Sequence, residues 1–472
     1  MAELAAQANA GLSRALCAAV AGLRYDAIPA PVIARARTFL IDTLGVIRGA
    51  TAAPGIAALN QRLARWESGG SATILLADRK VSPPSAALAN GAAAHALDFD
   101  DQHDPARVHT NCVVLPALLA TAQDLAAAGT PVSGRDFLLA LCVGAELHAR
   151  LGLAAHNSLG WGWHPTMTHG TLAGAVAAAR LLGLPAEGIQ HALGMGYHQA
   201  SGSAQSMRDG VLSKRLGAGF AARAAVLGAF LAADGLSGTR ETLEGSAGLI
   251  ALYERGAFDV GQLLDGLWRD WRILEYSLKP YPCCRATHTV IGLGLQARAA
   301  GVRAADLESV RIGIGEYNWI AVGSNYDPAR PEVVHAQFNA NYAFARALTD
   351  GTVDFQAFTA AARADAGIAA LTARSSCVAD PRISPEAIQP AYVQLGFKDG
   401  STRELYLDVM KGSPADPMSA AEVEAKFRAC TREGLPGAPA DAGDALPAAV
   451  AGLEHSSDAA GDLLRAFPRA RA

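Results

Sequence analysis

Apolar residues recur at helical spacing over most of this chain. In PVIARARTFLIDTLGVIRG, Ile33, Ala36, Leu40, Leu44 and Ile47 return every three or four residues, between Pro31 near the start and Gly49 at the end. Comparable amphipathic stretches at about 113–128, 136–150, 170–183, 212–233 and 419–430 predict further helices. The period then changes. In ESVRIGIGEY, Val310, Ile312 and Ile314 alternate with small or polar residues, which is strand spacing. Val393, Leu395 and Phe397 alternate up to a Lys398-Asp399-Gly400 turn, and Leu405, Leu407 and Val409 alternate after it, predicting a hairpin. The pattern therefore predicts a mainly α chain: a large helical domain over 1–268, a smaller inserted α+β domain over 269–410, and a return to helix over 411–472. The Ala/Gly/Pro-rich tail after Cys430 reads as loose before a last short helix.

Composition narrows the class. Half the chain is apolar (51%) and only 18% charged, which excludes disorder and predicts a large core. With 40 basic against 44 acidic side chains, the net charge of −4 gives no basic field for nucleic acid. Runs such as 151–179 carry no charge but are broken by Gly, Pro, Trp and His, so no membrane span is expected. Glu3 precedes any basic residue, so no secretory signal is read. Seven cysteines without a CxxC pair argue against a disulfide framework or a structural zinc. A cytoplasmic location is expected. Gly313-Ile314-Gly315 lacks the helix that a dinucleotide fingerprint requires, so no nucleotide cofactor is expected.

Histidine is unevenly spread: nine of twelve (95, 103, 109, 148, 156, 164, 169, 191, 198) fall within less than a quarter of the chain. The stretch HALDFDDQHDPARVHTNCVVLPALLA combines Asp98, Asp100 and Asp101 with His95, His103 and His109. It admits a metal site, or an acidic loop whose carboxylates cap helices and orient histidines. His109 precedes Thr110 and Asn111, good helix caps, and His164 precedes a second Thr-bearing helix start. Lys214 and Arg215 open a third helix, where the dipole disfavours cations unless an anion joins them. Lys279 stands ahead of Cys283, Cys284 and His288 at a fourth. Four helix starts bearing His or Lys suggest a pocket for a small polycarboxylate.

The combination HALDFDD, VLPALLA, GWHPT, AAARLLGL, KPYPCC, AQFNANYAFARALTDG (336–351) and KGSPADPMSAAEVEAKFR (411–428) resembles the MmgE/PrpD family over roughly 5–430. The resemblance implies a large all-helical domain with an inserted α+β lid, a homodimer, and no metal or organic cofactor. The family includes 2-methylcitrate dehydratase, cis-aconitate decarboxylase and iminodisuccinate epimerase. By position, its active-site residues fall on Asp98, His109, His164, Lys214, Lys279 and Tyr342. The expected catalytic set is His109, His164, Asp98 and Tyr342, with Lys214, Arg215, Lys279, Cys284, His288 and Gln102 binding substrate. Departures are present. Gln102 stands where members often have Thr, and His109-Thr110-Asn111 replaces His-Pro-Ser. Cys284 occupies the place of a histidine in the decarboxylase, which weakens that reading, while His288 matches a second histidine.

The chemistry shared by such a family is proton transfer at a carbon beside a carboxylate, with a base near the carbon and cations stabilising the enolate-like dianion. The sequence points first to a cofactor-independent dehydratase acting on a small hydroxylated di- or tricarboxylate. An epimerase or a decarboxylase on a related acid is the alternative within the family. A non-catalytic carboxylate-binding homologue is the alternative outside it.

Overall fold

The computed structural model describes residues 11–67, 69–155, 157–439 and 441–469; His156 lies outside the described residues. The chain forms two compact units. The first takes the residues up to 205, Leu212–Tyr276 and the segment from Ala420 onward; the second takes Ser206–Val211 and Ser277–Ser419. The first unit runs through Tyr276, beyond the 268 read from the sequence, because Trp271, Ile273 and Tyr276 are buried and the Ile273 N–H is held by Glu146.

The first unit is helical. Its main elements are α1 (Ala30–Gly49), α2 (Pro83–His95), α3 (Val114–Ala127), α4 (Gly134–Ala154), α5 (Pro165–Leu181), α6 (Ala186–Tyr197), α7 (Ser213–Ala233) and the returning α8 (Ala420–Gly434). Alanine and glycine let these helices approach closely. A Cβ at Gly91 on α2 would stand 2.9 Å from the Gly219 Cα of α7, so only glycine permits this crossing. Its consequence is functional, since it sets the C-terminal end of α2 (His95) beside the first turn of α7 (Lys214). The return of the chain contributes as well. Lys426 of α8 pairs with Asp42 of α1 at 2.6 Å and donates to the Phe99 carbonyl at 2.7 Å, pinning the loop that follows α2.

Two helices, α4 and α7, are long and apolar enough to cross a bilayer by length and composition, but 94% and 61% of their apolar windows are buried within the protein. Arg150 explains how a charge survives inside α4. It pairs with Glu146 at 2.6 Å and donates to the carbonyls of Asp265, Gly266 and Asp270, anchoring that loop.

The tail is packed rather than loose. Helices Ala445–Gly452 and Ala459–Ala466 bury Leu446, Val450 and Leu463, Phe467 is buried just after them, and the Gly134 N–H donates to the Ser456 carbonyl.

The second unit is α+β. Its sheet has the order β2-β1-β3-β4, from β1 (Leu307–Ile314), β2 (Ser375–Ala379), β3 (Ala391–Phe397) and β4 (Thr402–Leu407). β1 runs parallel to β2 and antiparallel to β3, with Ile312 opposite Val393, and the expected hairpin joins β3 to β4 around Gly400. Val310, Ile312, Val393 and Leu395 form one buried core with Val290 and Leu293 of helix His288–Ala299 and Phe344 of helix Ala340–Asp350.

Candidate active site

The first unit gathers four of the expected residues, Asp98, His109, His164 and Lys214, and adds His95 and Asp100. The sequence reading weighs these two as metal ligands or as parts of an orienting acidic loop but does not include them in the catalytic or substrate-binding set. Three local devices aim them. α2 ends at His95, and the chain then turns through Asp98, whose φ of 52° lies in the left-handed region. Aspartate tolerates this conformation better than most side chains. His164 is the residue immediately before α5, with Pro165 in the first turn, and its N–H donates to the Gly202 carbonyl at 2.9 Å. Lys214 lies in the first turn of α7, as the sequence predicts.

His109 differs from expectation. α3 begins only at Val114, after a turn in which the Thr110 carbonyl accepts from Val113 and Val114, so the expected caps Thr110 and Asn111 do not start it and His109 stands ahead of that turn. The ring is held instead by its neighbours in space. Nδ1 is 2.9 Å from the Asp101 carbonyl and 3.2 Å from Asp100 Oδ2, while the backbone N–H donates to Thr166 Oγ1.

The charges form a continuous buried chain. Lys214 Nζ lies 2.6 Å from Asp98 Oδ2 and 3.2 Å from His95 Nε2, and His95 Nδ1 lies 2.8 Å from Asp100 Oδ2. The His95 ring meets those of His109 and His164 edge-on, at centroid separations of 4.9 and 6.3 Å. Burial, reinforced by the Lys214 charge, lowers the His95 imidazole to about 4, so it is neutral at physiological pH. Burial and the same lysine hold His164 well below its ordinary value, and its Nδ1 is buried without a hydrogen-bonding partner. Burial would raise Asp100, but His95 and His109 outweigh it and keep the carboxyl ionised. Burial and the adjacent Asp100 push Asp101 up to about 7. Arg215 is buried nearby and is lowered by burial, with Asp98 opposing. Gln102 is buried on the short extended piece Gln102–His103.

The ligand atoms of His95, Asp100 and His109 lie within 4.8 Å of one another, the one such trio among the described residues. They already engage each other as donors and acceptor at 2.8 and 3.2 Å, so a cation would have to displace both hydrogen bonds. The geometry fits an orienting carboxylate better than a metal centre.

The second unit holds Lys279, Cys284, His288 and Tyr342. Lys279 is fully buried, in the irregular stretch before the 3₁₀ turn Arg285–Thr287. His288 opens its helix with Nδ1 3.2 Å from Arg285 Nη1 and Nε2 3.4 Å from the Cys283 carbonyl. Both nitrogens are engaged, which suits a positioning part better than substrate contact. The half-buried Cys284 donates its backbone N–H to the Gln337 carbonyl. Tyr342 lies in the core of this unit, where its hydroxyl donates to the Ala357 carbonyl and accepts from Arg346 Nε. Burial raises the hydroxyl's pKa, and both of its hydrogen bonds are made within this unit.

Comparison with known proteins agrees with this layout. The model of the MmgE/PrpD N-terminal domain matches residues 14–260, and that of the C-terminal domain matches 281–447. The chain is 32% identical over 289 residues to cis-aconitate decarboxylase of Aspergillus terreus, covering 60% of this chain and 59% of that protein. This chain thus spans about three-fifths of that relative's length. It is 28% identical over 430 residues to the cis-aconitate decarboxylase-like protein oryM of Aspergillus oryzae, covering 88% and 89% of the two chains. It is also 28% identical over 428 residues to the Homo sapiens cis-aconitate decarboxylase, covering 89% and 87%.

Proposed function

The chain belongs to the MmgE/PrpD family, and on that premise we propose that it is a cofactor-independent lyase acting beside a carboxylate of a small di- or tricarboxylate. The observation that carries this reading is the buried array of Lys214, His95, Asp100 and His109, with the neutral His164 beside it. A buried ammonium and two imidazoles within one cluster are what a carbanion-forming reaction requires. His109 Nε2 is the proton-transfer atom, since Nδ1 is occupied by Asp100 and Asp101. Lys214 stabilises the charge that develops on the substrate carboxylate. His164, held neutral, serves the second proton position. Lys279 keeps the carboxylate-binding part assigned by the family resemblance.

Two lyase reactions use these parts. In decarboxylation, the C–C bond to the departing carboxylate breaks, its electron pair stays on the carbon skeleton, and one proton is delivered to carbon. In dehydration, His109 removes a proton from the carbon beside the carboxylate, and the hydroxyl leaves with a proton as water. The names of the relatives favour decarboxylation of a cis-aconitate-like acid. Dehydration remains the second reading because Cys284 replaces the histidine that, by resemblance, the decarboxylase carries.

The test is incubation of the purified protein with cis-aconitate, citrate, 2-methylcitrate and amino polycarboxylates, followed by proton NMR in deuterated water. New vinyl protons with released CO₂ indicate decarboxylation, and an alkene product without CO₂, seen as a new vinyl proton or, from 2-methylcitrate, as a methyl singlet on the double bond, indicates dehydration. Absence of conversion and of carbon-bound exchange with every acid contradicts the proposal.

The assembly is proposed to be a homodimer. Leu212 and Phe220 at the start of α7 are 41% and 44% exposed, an apolar face suited to a second copy. Light scattering at micromolar concentration is expected to give twice the 48.6 kDa chain mass; the chain mass itself contradicts it.

A further inference from the structure

Asp100 joins two imidazoles of the site. Its side chain is wholly buried, and a single oxygen, Oδ2, faces His95 Nδ1 at 2.8 Å and His109 Nδ1 at 3.2 Å. An ionised carboxylate only accepts hydrogen bonds, so each imidazole must present Nδ1 as the protonated nitrogen. The other contacts demand the same tautomers. On His109, Nδ1 also faces the Asp101 carbonyl, a second pure acceptor, at 2.9 Å. On His95, Nε2 faces Lys214 Nζ at 3.2 Å, and an ammonium only donates. Four independent contacts thus agree on one proton arrangement, with Nε2 the basic nitrogen of both rings.

The adjacent Asp101 provides the contrast. Its Oδ1 accepts the Asn111 N–H at 3.3 Å, an ordinary loop-closing contact, and it touches neither imidazole with its carboxylate. The chain has placed two consecutive buried carboxyls here, one closing the loop and one bracing histidines.

We propose that Asp100 is a positioning residue of the reaction: it fixes the tautomer and orientation of His109, so that Nε2 meets the substrate, and it fixes His95 so that its Nε2 directs the Lys214 ammonium. Asp100 touches no reacting atom itself. The kinetic part of this proposal rests on the lyase reading above; the tautomer part does not.

The experiment uses protein labelled with ¹⁵N-histidine and two-bond ¹H–¹⁵N correlation spectra at pH 7. The wild type is expected to show Nδ1 protonated and Nε2 unprotonated for both His95 and His109, and an Nε2-protonated pattern in either ring overturns the proposal whatever the variants do. Asp100→Asn keeps the shape but supplies one acceptor and adds a donor, so at least one ring is expected to shift to a mixed or reversed tautomer. On the substrate identified by the panel, kcat should fall about 10²–10⁴-fold with KM changed only a few-fold, as when the partner of a catalytic histidine is lost. Unchanged tautomers in this variant, or changed tautomers with kcat intact, overturn the proposal. A wild type inactive on every acid defeats the lyase reading, while the tautomer result stands or falls alone.

Discussion

Replacing His109 by glutamine is expected to lower kcat by about 10²–10⁴-fold while leaving KM within a few-fold of the wild type. The reasoning is geometric. Nδ1 of His109 is committed to Asp100 and the Asp101 carbonyl, so the ring offers one basic atom, Nε2, in a fixed direction. Glutamine keeps a polar side chain of similar reach but has no atom that gains and loses a proton near neutral pH. On the proposed assignment the carboxylates are held by Lys214 and Lys279, so binding should survive. Steady-state kinetics check the split, with a thermal melt confirming that the variant remains folded. A near-normal kcat would move the proton-transfer role to His164.

The second large effect is expected at Lys214, on stability and on activity together. Lys214 and Asp98 pair at 2.6 Å with side chains 3% and 7% exposed. Removing one member of a buried pair strands the other charge, at a cost of about 3–5 kcal/mol. Lys214→Met should therefore lower the melting temperature markedly, raise KM and depress kcat. Adding Asp98→Asn removes the stranded charge and should restore most of the thermal stability, but not the activity, because the ammonium is still missing. The double variant separates the two roles. If it recovers neither stability nor activity, the pair is not the unit described here.

Much of this site was legible in the sequence because it is built on helix starts. Pro165 behind His164 and the first-turn position of Lys214 are local features, and the structure places both residues where the pattern predicts. The strand alternation of Val310–Ile314 and the Lys398-Asp399-Gly400 turn were equally local, and the sheet follows them. What escaped was everything that depends on distant segments meeting. His95 and Asp100 lay within the stretch that attracted attention. Their role, however, depends on Asp98 turning through a left-handed conformation and on Gly91 and Gly219 letting α2 and α7 touch. No spacing rule encodes that crossing. The Lys426–Asp42 pair joins residues of α8 and α1, near opposite ends of the chain, and is invisible to any local pattern. Tyr342 shows the same limit: its motif is local, but the burial of its ring among strands and helices from distant segments is not written in that motif.

The most direct test of the central claim compares wild type and His109→Gln in deuterated water on the acid that the wild type converts. A lyase that passes a proton through His109 Nε2 incorporates solvent deuterium at the carbon beside the carboxylate, in product or in recovered substrate. The account predicts that the wild type shows this label and that His109→Gln, though folded, loses conversion and label together. Equal labelling by the two proteins would contradict it.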